Sequence, residues 1–351
     1  MDVPDVVVVG AGIVGASVAY HLARVGARVV LIDKALPATG VTGDSFAWIG
    51  GPGGADRPDA SSPLRRSALA DHRRLEGELQ VPVRWTGSLL WDEDSVAEGR
   101  TLAPHERVID AAEVARLEPR LREPPARALH TTTDGAVDPV VLTSALGRAA
   151  VEHGAELAVG VGVTRLRREG PAVVGVDTSR GFIAAETVVL AAGVEVPLLC
   201  APLSVNLPVV PSPAVLLRFA AEAGLVRTLV KSPEIEVRQA SDDVLLATAE
   251  YSGEVGPEDL MRTGEQTVAR IRRLFRDADD VRLLGVRVGM RPMPADGLPI
   301  IGPLPGVDGV YVAVMHAGVT LAPAVGRLVA QEIVGGEDAD ELRGLRPVRF
   351  A

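Results

Sequence analysis

A single cysteine, Cys200, in 351 residues excludes an internal disulfide and a multi-thiolate metal site, and it suits a reducing compartment. Lysine is almost as scarce. Lys34 and Lys231 stand among 36 basic residues, so arginine carries nearly all the positive charge. Acidic residues number 46, and the balance of −10 argues against a field that would gather nucleic acid or anionic lipid. No apolar run approaches the roughly 18 residues that a spanning helix requires. Residues 1–9 hold no basic segment ahead of an apolar one. The six histidines show no pair at the spacing of a zinc helix, and no Gly-x-Ser-x-Gly elbow occurs. The expectation is a cytoplasmic protein with small-molecule partners, no membrane or nucleic-acid partner and no metal.

The composition that remains is globular, with 47% apolar and 23% charged residues, and the length suits one large or two moderate domains. The most legible segment runs from Met1 to Asp33. Val6-Val7-Val8-Val9 has the β-branched character of a strand buried on both faces of a parallel sheet. Gly10-Ala11-Gly12-Ile13-Val14-Gly15 then leads into a helix with Val14, Val18, Leu22 and Val25 at three- and four-residue steps, and Gly26 ends it. Arg28–Asp33 reads as the second strand, which completes a βα unit and makes the class α/β. Gly10 suits a tight turn, Gly12 the close approach of backbone to a pyrophosphate, and Gly15 the packing of helix on strand. Ile13 and Val14 sit at the helix start facing the phosphates. Asp33, eighteen residues past Gly15, is placed to accept ribose hydroxyls and to repel a 2′-phosphate. These residues leave the choice between FAD and NAD open.

Further along, Pro37 to Gly54 is a long Gly-, Thr- and Ser-rich loop of the kind that touches ligand. Helices are expected at 62–80, at Asp110–Leu121, and from Asp138-Pro139 (an N-cap and a first-turn proline) to His153. Short strands are expected at 83–92, 155–159, 161–168, 172–178 and 181–184. Thr187–Leu190, followed by Ala191-Ala192-Gly193, is a second buried strand ending in glycine. Strands near 207–219, 226–231, 234–240 and 244–249 followed by a helix at 257–276 have an α+β, antiparallel signature. Proline and glycine turns are expected after Met290, then a strand Val310–Val314 and a closing helix at 318–334.

The ordered set Gly135-Ala136-Val137-Asp138-Pro139, Leu190-Ala191-Ala192-Gly193, Met290-Arg291-Pro292-Met293-Pro294-Ala295-Asp296-Gly297-Leu298-Pro299-Ile300-Ile301-Gly302-Pro303 and His316-Ala317-Gly318-Val319-Thr320-Leu321-Ala322-Pro323 resembles the FAD-dependent amine and amino-acid oxidoreductases. That family includes D-amino-acid oxidase, glycine oxidase and sarcosine oxidase. The resemblance implies a Rossmann-like FAD-binding domain with a parallel sheet (1–80, 134–203 and 285–351), interleaved with an antiparallel-sheet substrate domain (81–133 and 204–284). It also implies hydride transfer from a small amino acid or N-substituted amino acid to flavin, and an imine that hydrolyses to a carbonyl product and an amine. Oxygen is the expected acceptor; a dehydrogenase with another acceptor and a non-catalytic FAD-binding subunit are the alternatives.

The same resemblance assigns residues. Arg291 matches the arginine that pairs with the substrate carboxylate, for which a planar guanidinium is suited. Gly318, Val319 and Thr320 open the closing helix, whose free N–H groups suit the negative charge of a reduced flavin. Val163 is expected at the adenine, Ser45 at the phosphates or ring, and Lys34, Ala192 and Gly193 elsewhere on the cofactor. His316 is read either as a ring-side group or as a helix-entry histidine, and Trp48 as a pocket wall or a core aromatic. Tyr251 and Arg238 are candidates from the substrate domain. Gly289 stands where some sarcosine oxidases attach flavin through cysteine, so the cofactor is expected to be non-covalent. Two departures concern the reaction: Pro211-Ser212-Pro213-Ala214 replaces a proline–basic–glycine turn, and the strand at Leu245–Glu250 lacks the lysine that assists oxygen in some relatives.

Overall fold

Val6–Val9 is buried along its whole length because parallel strands flank it, Val29–Asp33 on one side and Thr187–Leu190 on the other. The chain, described here from a computed structural model at residues 3–50, 59–97, 99, 101–251, 253 and 256–351, builds a six-stranded sheet around this core. Glu156–Val159 adds to one edge; Val310–Val314 and then the antiparallel Ile300–Pro303 add to the other. Alternation decides what each face meets. Val6 and Val8 face a layer of helices, Ile13–Arg24, Ser62–Leu79, Pro139–Glu152 and Gly318–Gly335. Val7 and Val9 face a three-stranded antiparallel sheet of Val163–Glu169, Ala172–Thr178 and Gly181–Ala184. Cys200 is buried in that second cluster, and burial pushes its thiol up to about 12.

The other large unit is an eight-stranded sheet. Its order is Arg282–Pro294, Val209–Ala220, Val244–Ala249, Glu236–Ser241, Leu229–Lys231, Ser88–Leu90, Arg127–Thr131, Glu106–Asp110. One face packs on helix Pro257–Leu274 through Phe219, Phe275 and Ile271; the other presents Leu216, Leu246 and Leu229 to Phe46 and Trp48 of the first unit. The mixed α/β architecture expected from the sequence is therefore present, with the two sheets interleaved along the chain.

Three expectations require correction. The turn expected after Met290 comes only at residues 295–298, because strand Arg282–Pro294 runs on through Met290, so a domain division at 285 falls inside a strand of the eight-stranded sheet. The prolines do not interrupt these strands. Pro292 and Pro294 lie on an edge strand, and Pro211 and Pro213 lie where Val209–Ala220 pairs on one side only, so no ladder donor is lost. The helix expected at Asp110–Leu121 shortens to Ala111–Leu117, N-capped by Asp110, because Glu118 leaves the helix to accept hydrogen bonds from Arg227 and Thr228 and Leu121 bridges to Phe275; the strand Glu106–Asp110 before it pairs with the unanticipated Arg127–Thr131. Strand structure expected over 83–92 is confined to Ser88–Leu90. Residues 51–54 of the long loop lie outside the described residues.

Candidate active site

Gly10 turns the chain with φ +105°, a conformation that side chains resist, and a Cβ there would lie 2.6 Å from the carbonyl oxygen of Ala191. At Gly15 a Cβ would lie 1.8 Å from the carbonyl oxygen of Gly10, so the helix rests directly on the turn. This backbone cradle forms one end of a cavity of about 1010 Å³, at the upper end of the size range of small-molecule sites. Gly10, Gly12, Ile13, Val14, Asp33 and Lys34 line it; Gly15 supports the turn from behind. Asp33 accepts from the backbone N–H groups of Ala11 (2.7 Å) and Ala35 (2.9 Å), which fixes its carboxylate at the rim. Val163, Ala192 and Gly193 complete this end, where Lys34 pairs with Glu195. Helix Ile13–Arg24 has no acidic residue in its first turn and no side-chain cap at Gly12, although the hydroxyl of Thr42 accepts from Ile13 N–H at 3.1 Å. An acceptor-rich diphosphate fits such a start.

The middle is formed by the long loop and the closing helix. Ser45 accepts from Ala47 N–H at 3.0 Å and shapes the turn into strand Trp48–Ile49. Trp48 lines the cavity, its indole N–H donating to Asp134 at 2.9 Å, and its carbonyl accepts from Thr320 Oγ1 at 2.9 Å. Gly318, Val319 and Thr320 line the cavity at a helix start that has neither a side-chain cap nor an acidic residue. A Cβ at Gly318 would lie 3.5 Å from Val14, so the starts of the first and last helices meet.

One supporting residue went unnoticed in the sequence. Pro323 has no N–H to give the carbonyl of Val319, four residues earlier, and His72 supplies the donor instead. Its Nε2–H donates to the carbonyls of Val319 (3.0 Å) and Thr320 (3.1 Å), and burial pulls its pKa down to about 4, which keeps it neutral. The signal was in the chain: a proline inside the first turns of a helix leaves an acceptor that something must satisfy.

The far end belongs to the antiparallel sheet. Arg291 Nη2 donates to Ser212 Oγ at 2.8 Å, across the register pair Ser212 and Arg291. The serine of Pro211-Ser212-Pro213-Ala214, the departure from the family turn, thus positions the guanidinium. Among the described residues Arg291 has no carboxylate partner. Glu236, Thr248 and Leu216 lie on one cross-strand row that faces the cavity, and Thr248 Oγ1 donates to Glu236 Oε2 at 2.8 Å. Burial raises the pKa of Glu236, with the Thr248 hydrogen bond and the charges of Lys231 and Arg291 opposing. His316 also faces the cavity; burial, Arg291 and Arg65 all push its pKa down, so it stands there as a neutral imidazole at neutral pH. Arg65 lines the same space.

Two candidates do not reach the cavity. Tyr251 packs with the apolar cluster on the helix side of the sheet. Arg238 is 3% exposed and donates to the carbonyls of Phe46 (2.7 Å) and Val137 (3.3 Å), so it fastens the sheet to the loop that carries Trp48. At Gly289 a Cβ would meet Asp44 at 3.1 Å, and Cys200, the chain's one thiol, is buried behind the cavity wall, which its neighbours Leu198 and Leu199 line but it does not. No helix among the described residues is long and apolar enough to cross a membrane.

Comparison with known proteins agrees with this geometry. The family model described as FAD dependent oxidoreductase matches residues 5–332. Glycine oxidase of Pseudomonas aeruginosa is 31% identical over 95% of both chains. D-amino acid dehydrogenase of Cereibacter sphaeroides is 28% identical over 99% of this chain and 95% of its own. The crystal structure of glycine oxidase from Geobacillus kaustophilus superposes with a TM-score of 0.85 at 25% identity, covering 99% of each chain.

Proposed function

The chain belongs to the FAD dependent oxidoreductase family, and on that premise we propose that it oxidises the carbon–nitrogen bond of a small amino acid or N-substituted amino acid. Family membership makes the dinucleotide FAD, which the glycine pattern alone left open. The residues present fit it: a side-chain-free cradle, a fixed carboxylate at Asp33, and two helix starts without acidic caps on one cavity wall. The only cysteine is buried and does not line the cavity, which supports non-covalent binding.

The observation that carries the substrate reading is Arg291, a guanidinium on the cavity wall with no carboxylate partner among the described residues. A substrate carboxylate satisfies it through two charge-assisted hydrogen bonds. Bound FAD supplies the two-electron acceptor. The substrate loses a hydride from carbon and a proton from nitrogen, and water hydrolyses the resulting imine to a carbonyl compound and an amine. Trp48, held by Asp134, and neutral His316 enclose the reacting end without adding charge. The named activities of the relatives, glycine oxidase and D-amino acid dehydrogenase, support amino-acid chemistry. Oxygen is the proposed acceptor. Thr248, rather than a cation, on the cavity face of strand Val244–Ala249 favours the second reading, a dehydrogenase with another acceptor. The single buried cysteine supports a reducing, cytoplasmic setting.

The test is an anaerobic titration of the FAD-loaded protein with a panel of D-, L- and N-alkyl amino acids, followed by loss of oxidised-flavin absorbance. Bleaching by at least one member is expected. If dithionite bleaches the flavin and no member of the panel does, the proposed reaction is wrong. Peroxide formed in air, compared with turnover on a dye acceptor, separates oxidase from dehydrogenase.

A further inference from the structure

Opposite charges share the reacting end of the cavity. Arg291 and Glu236 both line it, and the charge of Arg291 is the smallest of the effects that oppose burial at the carboxyl. Glu236 accepts one hydrogen bond, from Thr248, and no arginine or lysine forms an ion pair with it among the described residues. Lys231, the register partner of Glu236 on the adjacent strand, pairs instead with Asp92 at 3.1 Å. Across the cavity stand Arg65 and His316. A half-buried, cavity-facing carboxylate left in this state lacks a cationic partner, and a zwitterion anchored on Arg291 brings one.

We propose that Glu236 receives the ammonium nitrogen of the substrate whose carboxylate Arg291 holds, and takes from it the proton that must leave before hydride transfer. The step balances within the complex. The N–H bond breaks, its electron pair stays on nitrogen, and an O–H bond forms on the Glu236 carboxyl; no electrons change hands until the C–H bond breaks. Burial suits the role, since a carboxyl with a raised pKa is a better match for an amine. The assignment rests on the proposed amine oxidation and names the group that prepares its substrate.

The experiment compares FAD-loaded wild type with Glu236→Gln. Binding of acetate, a carboxylate without ammonium, is followed by perturbation of the flavin spectrum; anaerobic flavin reduction by glycine, D-alanine, sarcosine and D-lysine is followed between pH 6 and 10. Acetate affinity is expected to stay within about twofold, because Arg291 is untouched. Flavin reduction at pH 7 is expected to fall by at least about 100-fold and to recover as pH rises and the free amine appears without help. Reduction rates within about threefold of wild type at every pH overturn the assignment. A loss confined to D-lysine also overturns it, because Glu236 then reads a distal cation. If none of these substrates reduces the wild type, both this assignment and the proposed reaction fall, whereas failure in Glu236→Gln alone leaves the reaction standing. Thr248→Val provides a check that keeps the carboxyl. Loss of its hydrogen bond raises the pKa of Glu236, so the acid limb of the reduction rate is expected to move to higher pH, and an unmoved limb counts against the proposal.

Discussion

The two ends of the cavity are made of different material. At the nucleotide end the contacts come from backbone: the turn at Gly10, the helix start at Ile13 and Val14, and a carboxylate fixed by two N–H groups. These parts lie within the first 35 residues, and Val163, Ala192 and Gly193 complete the end. At the reacting end the contacts come from side chains on four strands, with Arg291, Ser212, Glu236 and Thr248 brought together only by antiparallel register. A cradle made of backbone tolerates no added atoms, while a pocket made of side chains tolerates exchange at the expense of specificity. One end therefore fixes the cofactor class and the other is free to set the substrate.

The sharpest break in that comparison is Gly15→Val. Even a Cβ would lie 1.8 Å from the carbonyl of Gly10, so the branched side chain forces the turn open. The expected result is protein purified without flavin and destabilised by about 3 kcal/mol or more, measured by absorbance and urea denaturation. Retention of a full flavin complement would mean that the cradle is softer than its geometry indicates. Arg291→Met acts at the opposite end and ranks next. Two charge-assisted hydrogen bonds at about 2 kcal/mol each make the expected loss of amino-acid affinity roughly 1000-fold. Flavin should remain bound. Unchanged affinity for every carboxylated substrate would remove Arg291 from the site.

This difference also explains what could be read from the chain. The valine run, the three glycines and Asp33 are a local pattern with a fixed spacing, and the parallel strand Thr187–Leu190 repeats its logic, so the first sheet was legible. Asp138-Pro139 was legible for the same reason: the cap, whose carboxylate accepts from Val140 and Val141, is a two-residue signal. Glu236 was not found, and Ser212 stood out only as a departure from the family turn, because only pairing across strands brings the one to the cavity and the other to Arg291. The edge-strand prolines concealed the longest strand by imitating turns. His72 was readable in principle, since Pro323 announces the unsatisfied carbonyl of Val319, but which residue answers depends on tertiary packing.

That histidine supports the helix start at the middle of the cavity and gives a pH signature. Its folded pKa, about 4, lies below the ordinary histidine value of 6.5, so the unfolded chain binds the extra proton between those two values. The stability associated with neutral His72 is therefore complete above pH 6.5 and is lost as pH falls towards 4, by up to about 3 kcal/mol. His21, buried and also near 4, adds to the same window. Urea denaturation at intervals from pH 7 to 4 should show this slope. His72→Gln, whose amide keeps an N–H donor at every pH, should flatten it by one proton's share. An identical slope in the variant would mean that other groups carry the acid sensitivity.

The smallest expected effect tests the register argument itself. Along strand Val244–Ala249, Leu246 and Thr248 face the first unit and the cavity, while Leu245, Ala247 and Ala249 face helix Pro257–Leu274. Tyr251, two residues past Ala249, lies in the same helix-side cluster. Tyr251 is absent from the cavity lining, although only three positions separate it from Thr248. Tyr251→Phe should leave flavin reduction and substrate affinity within about twofold of wild type, since no hydrogen bond to ligand is removed. Tyr251→Ala should lower stability by about 2 kcal/mol or more through lost packing, with substrate affinity still little changed. If Tyr251→Phe weakened substrate binding tenfold while stability held, the sheet would have to present its opposite face to the ligand, and the side-chain end of the cavity would be wrongly drawn.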